Sequence, residues 1–161
     1  MNRREALKIA VLGGALAACA REAPAADDDT LLESIADTLL PDTPSSPGAK
    51  AAGAKAGIHL LLADCYDAAA QRKVADGLRD FRARHADFAS LAQPERERVL
   101  RDVDAEAKRA GDAHWFHLAR ELANRAYFSS QVGMTRALRF TMIPGKWVGC
   151  TPLAPGQPAW G

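Results

Sequence analysis

The chain has 161 residues, 48% of them hydrophobic and 25% charged, with 21 basic and 20 acidic side chains. This balance fits one ordinary globular domain and excludes a disordered polymer, a collagen-like repeat and a polytopic membrane protein. A net charge of +1 argues against a general grip on nucleic acid, and three cysteines are too few for a disulfide scaffold and too dispersed for a zinc cluster.

Residues 1–18 read as an export signal. Arg3 and Arg4 precede Leu7 and Lys8, and a short apolar run rich in Ala and Gly follows. That run is far shorter than the roughly 20 residues of a spanning helix. The Arg pair with Leu7-Lys8 resembles a twin-arginine signal, the route for proteins that fold before crossing, with Asn2 and Ala6 departing from its usual residues. Leu16-Ala17-Ala18-Cys19 resembles a lipobox, which makes Cys19 a candidate lipidation site and membrane anchor. The other reading is an ordinary signal cut slightly later. Residues 19–29 then form a tether ending in Asp27–Asp29, and 30–142 a helical domain.

Proline placement partitions that domain. Pro41, Pro44 and Pro47 cluster, Pro94 stands alone, and the intervals between are free to run as helices. Leu32, Ile35, Ala36 and Leu39 share a helical face, with Thr30 and Glu33 as a capping box and Pro41 as the stop. A second helix carries Ile58, Leu61, Leu62 and Cys65. A third opens at Asp67 and carries Val74, Leu78, Phe81 and Phe88. Pro94 opens a fourth through Val99, Leu100, Val103 and Ala107, closed by Gly111. Asp112 caps a fifth with Trp115, Leu118, Ala119, Leu122 and Ala126, and a short sixth covers 131–139. The expected fold is all-α, a bundle of five to six helices with an extended C-terminal arm over 143–161. That arm is rich in Pro, Gly and Trp, so it cannot be helical, and its apolar side chains need a surface to lie on.

Candidate chemistry is sparse. His114 and His117 share a helix face and could begin a metal site with His59 or His85, but no HExxH or paired Glu accompanies them. Helix-surface or interface histidines are the simpler reading. No nucleophile elbow, phosphate-cradling glycine loop or dinucleotide fingerprint is present in the sequence. No metal, catalytic residue or directly bound cofactor is therefore assigned. Cys65 is expected to be a buried small hydrophobe; Cys150 lies in the arm. With Cys19 lipidated these are the remaining thiols, free to pair with each other or, for Cys150, with a partner chain.

Two segments carry a resemblance. One runs Ile35-Ala36-Asp37-Thr38-Leu39-Leu40-Pro41-Asp42-Thr43-Pro44 into Pro47-Gly48-Ala49-Lys50-Ala51-Ala52-Gly53. The other runs from Tyr127-Phe128-Ser129-Ser130-Gln131-Val132-Gly133 to Pro144-Gly145-Lys146-Trp147-Val148-Gly149-Cys150. In this order, behind a twin-arginine-like signal, they resemble the gluconate 2-dehydrogenase subunit 3 family. The resemblance implies a non-catalytic small subunit of a membrane-associated complex in the periplasm. Its partner would be a large FAD-containing dehydrogenase of the glucose-methanol-choline type, exported folded with this chain. A multihaem cytochrome c subunit would carry electrons away, and FAD would reside in the large subunit. The lipobox-like Cys19 departs from this pattern, in which the cytochrome more often holds the anchor. On this reading Tyr127 and Phe128 help seat the arm, Trp147 and Trp160 anchor it on the partner, and Cys150 is a candidate for an intersubunit disulfide. A free-standing helical periplasmic lipoprotein, serving as a binding or scaffold module, is the alternative. It expects the arm to fold onto its own core.

Overall fold

The computed structural model describes residues 26–161 except Pro144, Lys146, Trp147, Leu153 and Gly161. Five α-helices form a bundle: α1 Ala26–Leu39, α2 Ala54–Cys65, α3 Ala68–Arg84, α4 Gln93–Ala110 and α5 Trp115–Phe128. No strand occurs among the described residues, so the all-α expectation holds. The signal residues Arg3, Arg4, Leu7 and Lys8, and Cys19, lie outside the described residues.

Local chemistry sets most helix ends. α1 ends at Leu39, two residues before Pro41. The Asp67 side chain accepts from the Ala70 amide and opens α3. Pro94 sits in the first turn of α4, where its missing N–H costs nothing. Gly111 ends α4 at φ 67°, a left-handed conformation that side chains resist.

Other expectations are corrected. Asp27–Asp29 are helical rather than tether, and Thr30 lies inside α1 instead of capping it. The reason is tertiary: Asp28 pairs with Arg82 of α3 at 2.8 Å and Asp29 with His59 of α2 at 3.1 Å, so these two carboxylates dock the first turn. Phe88 lies beyond α3, in a 3-10 turn over Phe88–Ser90 that folds it back edge-on to Phe81. α5 is capped by His114, whose Nδ1 accepts from the Phe116 amide at 3.2 Å; Asp112 sits in the preceding 3-10 turn. The sixth helix reduces to a π-helical turn, Gly133–Ala137.

The centre of the bundle is α5. It packs most extensively on α2 and also touches α1, α3 and α4. Leu122, Ile58, Phe81, Phe88 and Ala107 are fully buried around it. Trp115 lies flat against the α3 backbone at Gly77, where an added Cβ would fall 2.0 Å from its indole Cγ. Gly77 is therefore part of the packing surface, not a flexible point.

Candidate partner interface

The two segments that carry the family resemblance meet in space. The loop between α1 and α2 is stitched by Thr43 and Ser46, which exchange backbone hydrogen bonds, and by the Gly48 amide donating to Asp42 Oδ1 at 2.6 Å. The Ala49 amide donates to Leu40 O at 2.8 Å and brings the loop back to the end of α1. Tyr127 of α5 reaches across to the loop: its hydroxyl donates to Pro47 O at 2.8 Å and shares a 2.7 Å hydrogen bond with the hydroxyl of buried Ser46. Tyr127 is thus an interior clamp on the loop. The expectation that it seats the arm is corrected, because its ring and hydroxyl are already taken up by its own fold.

The arm leaves this clamp through the π-helical turn. Ser130 Oγ donates to Tyr127 O and accepts from the Gly133 amide, while the Leu138 amide closes on Gly133 O. The chain then runs out and returns. The Arg139 amide donates to Ala159 O at 2.7 Å, and the Arg139 guanidinium stands 4.2 Å from the centre of the Trp160 ring. Residues 139 and 160 therefore close the neck of a loop.

Beyond that neck the described arm side chains do not bury against the bundle. Met142 is 80% exposed, Ile143 81%, Val148 58% and Trp160 51%. With Phe128 and Phe140, they account for all but Leu60 of the exposed large hydrophobics among the described residues. Phe128 packs edge-on against Tyr127 on one side and faces solvent on the other. Exposed large hydrophobics are thus concentrated in the last part of the described chain. Trp147 lies outside the described residues.

Cys65 and Cys150 are both exposed and free, not bonded to one another. For Cys65 the buried expectation is corrected. It has the right helical phase, but it is the last residue of α2, where the backbone leaves the helix for an extended conformation at Tyr66.

His114 and His117 serve the backbone. His114 caps α5, and His117 Nε2 lies 3.0 Å from Ala107 O, which places a proton on that nitrogen. Burial lowers the His114 pKa below its ordinary value of 6.5, more than the nearby Glu106 raises it. Among the described residues no group of three or more His, Cys, Asp or Glu is placed to hold a metal. An open groove of about 350 Å³ lies between α1, α4 and α5. Its charged walls are already matched, Arg101 to Glu97 and Arg120 to Asp104. A hydrogen bond from Lys108 and the adjacent Arg120 hold the Asp104 carboxyl below its usual value.

The family model for gluconate 2-dehydrogenase subunit 3 matches residues 26–145. The chain belongs to this family. The match spans the bundle, the Tyr127 clamp and the start of the arm through Met142 and Ile143. No curated protein and no solved structure matches the chain. No helix among the described residues is long and apolar enough to cross a membrane.

The Tyr127 clamp was missed because its partner loop lies some 80 residues away. The exposed cations Arg136 and Arg139 were missed as well, although the sequence carries their signal: no Asp or Glu follows Glu121.

Proposed function

We propose that this chain is the non-catalytic small subunit of a periplasmic FAD-dependent dehydrogenase complex of the gluconate 2-dehydrogenase kind, and that its arm binds the flavoprotein subunit. The family match supports a subunit role. The observation that carries the arm assignment is the exposure of Phe140, Met142, Ile143 and Val148, together with the half-exposed Trp160 at the neck. The FAD belongs to the partner; among the described residues no strand and glycine loop form a dinucleotide cradle.

The chain also escorts its partner. Arg3-Arg4 and Leu7-Lys8 direct the twin-arginine route, which is needed when a cargo crosses already folded around its cofactor, and Cys19 supplies a lipid anchor. The bundle stabilises the flavoprotein after transfer, and a cytochrome c subunit accepts its electrons.

The test is co-purification from cells making both subunits. Met142→Asp with Ile143→Asp is expected to abolish recovery of the flavoprotein while the melting temperature of the small subunit holds. Undiminished recovery overturns the arm assignment. Replacing Arg3-Arg4 with a Lys pair is expected to strand the flavoprotein in the cytoplasm, and cell fractionation reads that outcome directly.

A further inference from the structure

We infer that the arm is recognised by an acidic face of the catalytic subunit, with an apolar centre, and that charge steers the two together. This rests on the arm being the docking element proposed above.

The charges of the chain are segregated. Residues 26–121 carry 18 acidic and 13 basic side chains. After Glu121 the chain has Arg125, Arg136, Arg139 and Lys146 and no carboxylate side chain. Within the bundle the cations are largely neutralised locally: Arg82 by Asp28, Arg84 by Glu106, Arg96 by Asp37 and Arg120 by Asp104. Arg136 and Arg139 are exposed and have no ion pair among the described residues. An acidic partner face is thus attracted by the arm and repelled by the rest of the molecule, which selects one docking orientation as well as speeding encounter.

The arm backbone favours a protein over a lipid surface. Among the described residues, no backbone hydrogen bond joins any of 140–143 or 148–152 to another described residue. Open N–H and C=O groups are very unfavourable in a hydrocarbon layer, which offers no partners. A protein groove can pair them, as when an extended peptide lies along a receiving edge. Pro144, Pro152, Pro155 and Pro158 restrict the free arm, so docking loses little chain entropy. Exposed apolar side chains, unpaired cations and open amides together describe a peptide-like ligand for a protein receptor with carboxylates around an apolar slot.

The experiment measures association of the full chain with its purified catalytic subunit as salt is raised from about 50 to about 500 mM, beyond which a Debye length of a few ångströms screens the field. The association rate is expected to fall about 10-fold or more with little change in dissociation. Arg136→Glu is expected to slow association about 5-fold at low salt, and Arg136→Lys to restore it. A salt-independent rate, equal for Arg136→Glu, overturns the inference. If Met142→Asp with Ile143→Asp still breaks the complex in that case, the docking role survives without the charge steering. If neither the apolar nor the charge variants affect the complex, both readings fall. Binding to phosphatidylglycerol vesicles in preference to phosphatidylcholine ones, lost in Arg136→Glu and with no salt-dependent association to the catalytic subunit, makes the arm a lipid ligand and overturns the inference.

Discussion

The bundle and the arm use similar side chains to opposite ends. In the bundle, Phe81, Phe88, Phe116 and Leu122 are sealed from water and every helix contributes to one core. In the arm, Phe140, Met142, Ile143 and Trp160 are exposed. The two regions differ in charge as well, acids and bases mixed and paired in one, cations alone in the other. The bundle seals its apolar side chains in a core of its own, and the described large apolar side chains of the arm stay in contact with solvent.

That contrast can be broken by substitutions that affect one region only. The largest expected effect is in the core. Phe81→Ala removes a fully buried ring from contact with Phe88 and Trp115 and is expected to lower stability by about 3–5 kcal/mol, read from the urea midpoint. Ile143→Ala, deleting comparable apolar surface in the arm, is expected to change that midpoint by less than about 0.5 kcal/mol. A similar loss at both positions would mean that the arm belongs to the core after all. Next in size is Tyr127→Phe. It leaves Ser46 and Pro47 without their buried partner and is expected to lower stability by about 1–3 kcal/mol, with faster amide exchange confined to the 42–49 loop.

The smallest effect is a pH dependence of the bundle. Because burial lowers the His114 pKa, the folded chain binds fewer protons than the unfolded chain as pH falls through 6.5. Stability is then full above that value and declines below it, as the protonated ring can no longer accept from Phe116 at the start of α5. The Glu106 carboxylate, held below its ordinary pKa by a hydrogen bond from Arg84, adds a further loss only at more acidic pH. His114→Asn keeps a helix cap without the titration, so its stability between about pH 7 and about pH 5.5 is expected to be flatter than that of the native chain. An identical slope in the two proteins would show that His114 is not the source.

The helical layout was legible because its punctuation is local. Pro41, Asp67, Pro94 and Gly111 act on their own backbone, and each stands where the sequence places it. Two of the misplacements involve distant partners, and one a local turn. Thr30 fails as a cap because Asp28 and Asp29 find Arg82 and His59 and carry the helix through it. His114 displaces Asp112 because the intervening 3-10 turn brings its ring onto the Phe116 amide. Tyr127 has the composition of an interface residue, and only the fold reveals that it clamps Pro47. The arm was half legible: the Pro and Gly content identified it, while its cationic character emerges once charge is read by segment instead of summed over the chain.

The central claim is that partner binding resides in the arm and folding in the bundle. The most direct measurement is the affinity of the catalytic subunit for a chain ending at Leu138, compared with the full chain, with the melting temperature of both recorded. A loss of about 100-fold or more in affinity, the scale of a few lost interface anchors, is expected with the melting transition retained. An affinity unchanged by the truncation would contradict it.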